Sequence, residues 1–125
     1  MNSFDFDGVI SVGIFPGPDD IIVTGRSYEE KEETEAWLAA RHIGNTVYYN
    51  SLRFDEKTRE SSGEHKAKTF IRLKTEGKPV TIHFEDDDIQ AAVIERNCPW
   101  IHVVRVTHDL TEKENVRYDK DCNPV

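Results

Sequence analysis

The chain has 125 residues, 37% of them hydrophobic and 32% charged, and its 24 acidic and 16 basic side chains give a net charge of -8. That length suits one domain with a core of its own, without disulfide staples. The acidic balance argues against nucleic-acid binding driven by bulk charge, no apolar run approaches the roughly 18 residues of a membrane span, and the start Met1-Asn2-Ser3 lacks the basic and apolar regions of a secretory signal.

Residues 3–7 read as a short strand that ends in acid. Residues 21–24, Ile-Ile-Val-Thr, are β-branched and flanked by Asp-Asp and Gly, the pattern of a buried strand. Ser27 and Glu30 have capping-box spacing, and a helix is expected from Tyr28 to about Arg41, with Tyr28, Trp37, Leu38 and Arg41 roughly on one face. Residues 46–49 form a third strand, followed by a loop over 50–62. A second capping box at Ser61 and Glu64 opens a helix running to about Glu76, with Ala67, Phe70, Ile71 and Lys74 on one stripe and Gly77 ending it. Residues 80–84 form a fourth strand. Asp87 caps a third helix with Ile89, Ala92 and Val93 on its apolar side, and Pro99 breaks the chain before a fifth strand over 101–106.

Strands alternating with helices imply an α/β fold, a parallel sheet covered on both faces. The domain is expected over 1–110, with 111–125 a polar C-terminal tail. Two cysteines, Cys98 and Cys122, are too few for a zinc site or a disulfide framework. One is expected in the core and one on the tail, in a reducing, cytoplasmic setting.

In parallel sheets ligands bind beyond the carboxyl ends of the strands. There the chain places Asp5-Phe6-Asp7-Gly8, Thr24-Gly25-Arg26 and Glu85-Asp86-Asp87-Asp88, with Lys66 leading the second helix. Two carboxylates ~4 Å apart repel by roughly 4 kcal/mol at an effective dielectric near 20, so such a cluster calls for a cation. Oxygen ligands without thiolates or paired histidines favour Mg²⁺, which binds through a few carboxylates and substrate phosphate. Other phosphate motifs fail. Gly8 to Gly13 has P-loop spacing but is followed by Ile14-Phe15 in place of Lys-Ser/Thr, and no G-x-G-x-x-G follows the first strand.

These four segments, in order, resemble the motifs of the haloacid dehalogenase superfamily, in particular its aspartate-nucleophile phosphatases. They are Phe4-Asp5-Phe6-Asp7-Gly8-Val9-Ile10, Ile21-Ile22-Val23-Thr24-Gly25-Arg26, Lys66 within Glu64-His65-Lys66-Ala67, and Ile82-His83-Phe84-Glu85-Asp86. The resemblance spans about residues 4–106. It implies a Rossmann-like three-layer sandwich with strand order 3-2-1-4-5.

It also implies roles. Asp5 would be the nucleophile that forms an aspartyl-phosphate, and Asp7 the general acid and then base. Residues i and i+2 share one side of a strand, so both would face one substrate. Mg²⁺ would lie between the Asp5 carboxylate, the Asp7 carbonyl and Asp86, with Glu85 a second acidic partner. The register among residues 85–88 stays open, with Asp87 the expected cap and Asp88 a first-turn charge. Thr24 and the Gly25 N–H would bind the phosphoryl group. Arg26 would grip substrate phosphate or pair with the helix that follows. Lys66, in preference to Lys68, would neutralise the phosphoryl dianion and Asp5. Among the histidines, His83 reads as a satisfied interior residue.

The presence of Asp7 favours a Mg²⁺-dependent phosphomonoester hydrolase over a dehalogenase. Residues 8–19, with Phe15-Pro16-Gly17-Pro18, make only a short flap, so no cap is expected. The site would be open, or closed by a second copy of the chain, with Phe15 and Arg26 at its rim. Its partner would be a phosphorylated small molecule or macromolecule, and no membrane. A nucleic-acid 3′-phosphatase and a catalytically silent binding module on the same fold remain as alternatives, the first disfavoured by the acidic charge.

Overall fold

The computed structural model describes residues 1–107. Strands β1 (Asn2–Phe4), β2 (Ile21–Ser27), β3 (Val47–Asn50), β4 (Ile82–Glu85) and β5 (His102–Arg105) form a single parallel sheet in the order β3-β2-β1-β4-β5. This is the α/β architecture and strand order expected from the sequence. Helices α1 (Lys31–Ala39), α2 (Arg59–Thr75) and α3 (Asp88–Asn97) complete it. The tail over 111–125 and Cys122 lie outside the described residues.

Alternation along β2 explains the layering. Ile21 and Val23 point to one face, where they meet Ala67, Phe70 and Leu73 of α2 and Ala91 and Ile94 of α3. Ile22 points to the other face and joins Phe4, Phe6 and Leu38 of α1. A strand apolar on both faces is what a parallel sheet covered twice requires. Cys98 is buried in the first cluster, as expected.

Several expected boundaries move. β1 stops at Phe4, because a turn follows in which Ile10 N–H donates to the Asp5 carbonyl (3.3 Å) and Ser11 N–H to that of Phe6 (3.0 Å). The helix after β2 opens with a 3₁₀ turn, Tyr28–Glu30, tied by the expected Ser27–Glu30 box. Its buried side is Thr34 and Leu38, while Tyr28 is 62% exposed. α2 begins earlier than expected. Thr58 is its N-cap and Ser61 its third residue, each bonding the other's backbone N–H (3.0 and 2.7 Å). Its core stripe is Ala67, Phe70 and Leu73, and Ile71 is exposed. Asp87 caps α3 as expected, accepting from Ile89 and Gln90 N–H. That helix buries Gln90, Ala91, Val93 and Ile94, and leaves Ile89 and Ala92 outside.

No cap interrupts the core. Residues 5–20 contain only a 3₁₀ turn, Ile10–Val12, and residues 76–81 are a short link from α2 to β4. Among the described residues no helix is long and apolar enough to cross a membrane.

Candidate active site

β1 is the central strand, paired with β2 on one side and β4 on the other. Its carboxyl end therefore meets the ends of both. Asp5 follows β1 directly, with its N–H donating to the Phe84 carbonyl of β4 (3.1 Å). Phe4 and Phe84, partners across the two strands, stack with ring centres 4.6 Å apart.

Lys66 occupies the middle. Fully buried on α2, it places Nζ 2.7 Å from Glu85 Oε1 and 3.0 Å from Asp5 Oδ1. Lys68, two residues on, lies about 200° round the helix and is exposed. The two carboxylates and the desolvated ammonium depend on one another. Burial, reinforced by the charge of Glu85, pushes the Asp5 carboxyl up to about 8 against the opposing pull of Lys66. Lys66 is raised by Asp5 and Glu85 in spite of its burial.

Glu85 is held from every side. His83 Nε2 lies 3.1 Å from Oε1, and Asp87 N–H donates to Oε2 (3.2 Å). His83 Nδ1 lies 2.9 Å from the Ser3 hydroxyl. Burial, with the adjacent Lys66, pushes this imidazole down to about 3, so it is neutral and bridges Ser3 and Glu85. It is the satisfied interior histidine expected from the sequence.

Oxygens of Asp5, Glu85 and Asp86 lie within 4.8 Å of one another. An all-carboxylate donor set suits a hard cation such as Mg²⁺. Glu85 accepts hydrogen bonds on both oxygens, and Asp5 Oδ1 accepts from the Phe6 N–H (2.9 Å) and from Lys66, so a cation would share these oxygens with the protein's own donors. The two acids that follow Asp86 have fixed roles. Asp87 caps α3 and pairs with Arg59 (2.6 Å), and Asp88 is exposed and pairs with Arg105 (2.8 Å).

Asp7 does not share a strand with Asp5, because β1 ends at Phe4 and a turn follows, yet it lies close enough for its charge to help raise the Asp5 carboxyl. Arg26 grips it with two parallel bonds, Nε to Oδ2 (2.9 Å) and Nη2 to Oδ1 (2.8 Å). The same guanidinium bonds Thr34 Oγ1 (3.1 Å), lies 3.6 Å from Glu33, and stacks over Phe6. Of the two roles expected for Arg26, pairing with the following helix is the one seen. Its side chain is 11% exposed, so it is an interior clamp and not a rim residue. Phe15 is exposed, as a rim residue would be. Asp5, Thr24, Lys66 and Glu85 have no exposed surface, so in this conformation the mouth expected to be open is covered.

Thr24, Gly25 and Arg26 do not lie beyond β2 as expected. They form an irregularity inside it: Val23 pairs with Tyr48 and Ser27 with Asn50, so four steps on β2 match two on β3. Such bulges re-aim side chains beside active sites. Arg26 N–H donates to Thr24 Oγ1 (3.1 Å). Gly25 is needed for close approach, since a Cβ there would meet Ser62 Cβ and Oγ at 3.0 Å.

Three residues near Gly25 escaped the sequence reading. Lys57 Nζ donates to the Gly25 carbonyl (3.0 Å) and to Glu30 (2.7 Å), Asn50 Nδ2 donates to the same carbonyl (3.4 Å), and the fully buried Gln90 amide has no partner for either polar atom. Burial pushes Lys57 down to about 8. Nothing local marks them as site residues: Lys57 and Asn50 come from a loop and an edge strand, and Gln90 reads only as part of the Asp87-x-x-Gln90 capping pattern.

Compared with known proteins, the chain matches no family model, no curated protein and no solved structure at a significant level.

Proposed function

We propose that this chain is a Mg²⁺-dependent phosphomonoester hydrolase of the haloacid dehalogenase type, acting through an aspartyl-phosphate on Asp5. The observation that carries the reading is the Lys66 ammonium held between Asp5 and Glu85 at the converging ends of β1 and β4. An Asp5 oxygen attacks phosphorus and the bond to the leaving oxygen breaks. Asp7 gives that oxygen its proton. Water then attacks the phosphorus of the acyl phosphate, Asp7 takes its proton, and inorganic phosphate leaves with Asp5 restored. Lys66, Thr24 and the Gly25 N–H bind the phosphoryl oxygens. The unpartnered Gln90 amide beside Gly25 supports a polar ligand here, since a buried amide without hydrogen bonds is costly. Asp5 and Asp86, with the Asp7 carbonyl, would hold Mg²⁺, which neutralises phosphoryl charge when bound.

The test is hydrolysis of p-nitrophenyl phosphate with and without Mg²⁺. Asp5→Asn is expected to lower kcat at least ~1,000-fold, since it removes the group that becomes covalent. An unchanged rate in that variant overturns the assignment.

The two-bond clamp of Arg26 on Asp7 favours one second reading, a catalytically silent phosphate-binding module. A beryllofluoride adduct on Asp5 without turnover of any phosphomonoester would establish it.

A further inference from the structure

One cleft is not used by this chemistry. A cleft of about 470 Å³ runs between β3, an edge strand, and α2. Its volume is that of a small-molecule site. The α2 wall is a stripe of the helix that carries His65, Lys68 and Arg72, with Glu64 one turn before Lys68, and the facing wall includes Tyr28 and Asn50.

Two features of that stripe point to an anion. Lys68 and Arg72 sit one turn apart, and among the described residues no carboxylate lies within ion-pair distance of either. They remain so on a chain of net charge -8. The Arg72 guanidinium is also steadied over the Tyr48 ring (5.6 Å). Between them and the active site, His65 is neutral: burial and the neighbouring Lys66 push it down to about 4. It offers hydrogen bonding without charge. The exposed Tyr28 ring gives the leaving group a flat apolar surface.

The near end of the cleft adjoins the phosphate-binding segment. Asn50, which lines it, bonds the Gly25 carbonyl, and Ser61, which also lines it, precedes the Ser62 packed against Gly25. The cleft and the phosphate-binding segment are thus neighbours, and a ligand that joins them enters once the cover over Thr24 opens.

We propose that this cleft is an anion subsite in which Lys68 and Arg72 hold a second phosphate carried by the leaving group, so that the preferred substrates are small bisphosphorylated compounds. The inference rests on the phosphomonoesterase reading of the Asp5 site. A polynucleotide end is disfavoured by the net charge.

The experiment is equilibrium binding to the full chain carrying Asp5→Asn, with Mg²⁺ present. Adenosine 3′,5′-bisphosphate and fructose 1,6-bisphosphate are compared with the matching monophosphates. Each bisphosphate is expected to bind at least ~10-fold tighter than its monophosphate, on the scale of charge-assisted hydrogen bonds to one more phosphate. In the double variant Lys68→Ala/Arg72→Ala that ratio should fall to about one, while Lys78→Ala, outside the cleft, should keep it. Circular dichroism checks that each variant is folded. Equal affinity for the two ligand classes overturns the subsite, and so does a preference that survives the double variant. A 3′-phosphorylated oligonucleotide that binds tighter than either bisphosphate, with steep salt dependence, overturns the small-molecule assignment. Wild-type protein that binds bisphosphates preferentially yet hydrolyses neither them nor p-nitrophenyl phosphate removes the phosphatase reading and leaves the subsite standing.

Discussion

Gly8 has no room for a side chain. Its φ is +79°, a region that L residues rarely adopt, and a Cβ there would lie 2.0 Å from Asp86 Oδ2 and 2.3 Å from its Cγ. The glycine of the Asp-x-Asp-Gly segment therefore makes the space that the Asp86 carboxylate fills. Gly13 is the natural control, with φ +102° and nothing within 4 Å of an added Cβ. Gly13→Ala should cost about 1 kcal/mol, the backbone term alone. Gly8→Ala should cost at least about twice that, because Asp86 must also move. Urea unfolding of both variants measures the difference, and equal costs would mean that Asp86 is not confined by Gly8. Asp7 is held by a two-bond ion pair. The Arg26 fork fixes its carboxylate, so a leaving group that takes a proton from Asp7 has to loosen that clamp first.

At the level of elements, α2 does most to build the site. One side supplies Lys66 to Asp5, another supplies Phe70 and Leu73 to the core, and a third lines the cleft. His65 lies between the site and the cleft, and its burial makes α2 sensitive to acid. Unfolded, an imidazole titrates near 6.5, and in the fold burial holds His65 down to about 4. As pH falls from about 6.5 towards 4 the unfolded chain takes up a proton that the folded chain refuses, so stability falls across that window. Above it, both states are neutral and nothing is lost. Between pH 7 and pH 5 the loss from His65 is about 2 kcal/mol. Urea unfolding of His65→Asn should show a decline shallower by about that amount, and parallel curves would place His65 in solvent. The elements were legible because alternation and capping are local signals: the Ser27–Glu30 box, the Asp87 cap and the β-branched run at 21–24 all appear where the sequence put them. What stayed hidden depends on the partner. Hydrophobic spacing placed Ile71 and Ile89 inside, but α2 and α3 pack against each other as well as on the sheet, and this turns those two outward. The bulge at Thr24 to Arg26 arises from pairing with β3, and the turn that ends β1 before Asp5 is closed by backbone hydrogen bonds that no residue pattern announces.

For the whole molecule, the strand order decides where charge gathers. With β1 between β2 and β4, Asp5, Thr24, Glu85 and Asp86 converge although up to 81 positions separate them in sequence. Three carboxylates lie there, and Lys66 is the cation that faces two of them. A divalent cation bound only by the folded chain stabilises it in proportion to the logarithm of its concentration. At about ten times its dissociation constant the gain is about 1.4 kcal/mol. For a chain of this size that is roughly a 5 °C rise in Tm. Thermal melts with Mg²⁺ and then with excess EDTA should show the rise and its reversal. Asp86→Asn should abolish it, because that carboxylate faces the cluster across Gly8. Asp88→Asn should leave it intact, because that carboxylate is exposed and paired with Arg105. A rise that persists in Asp86→Asn, or one lost in Asp88→Asn, would move the cation away from the strand ends and take the metal-dependent reading of the site with it.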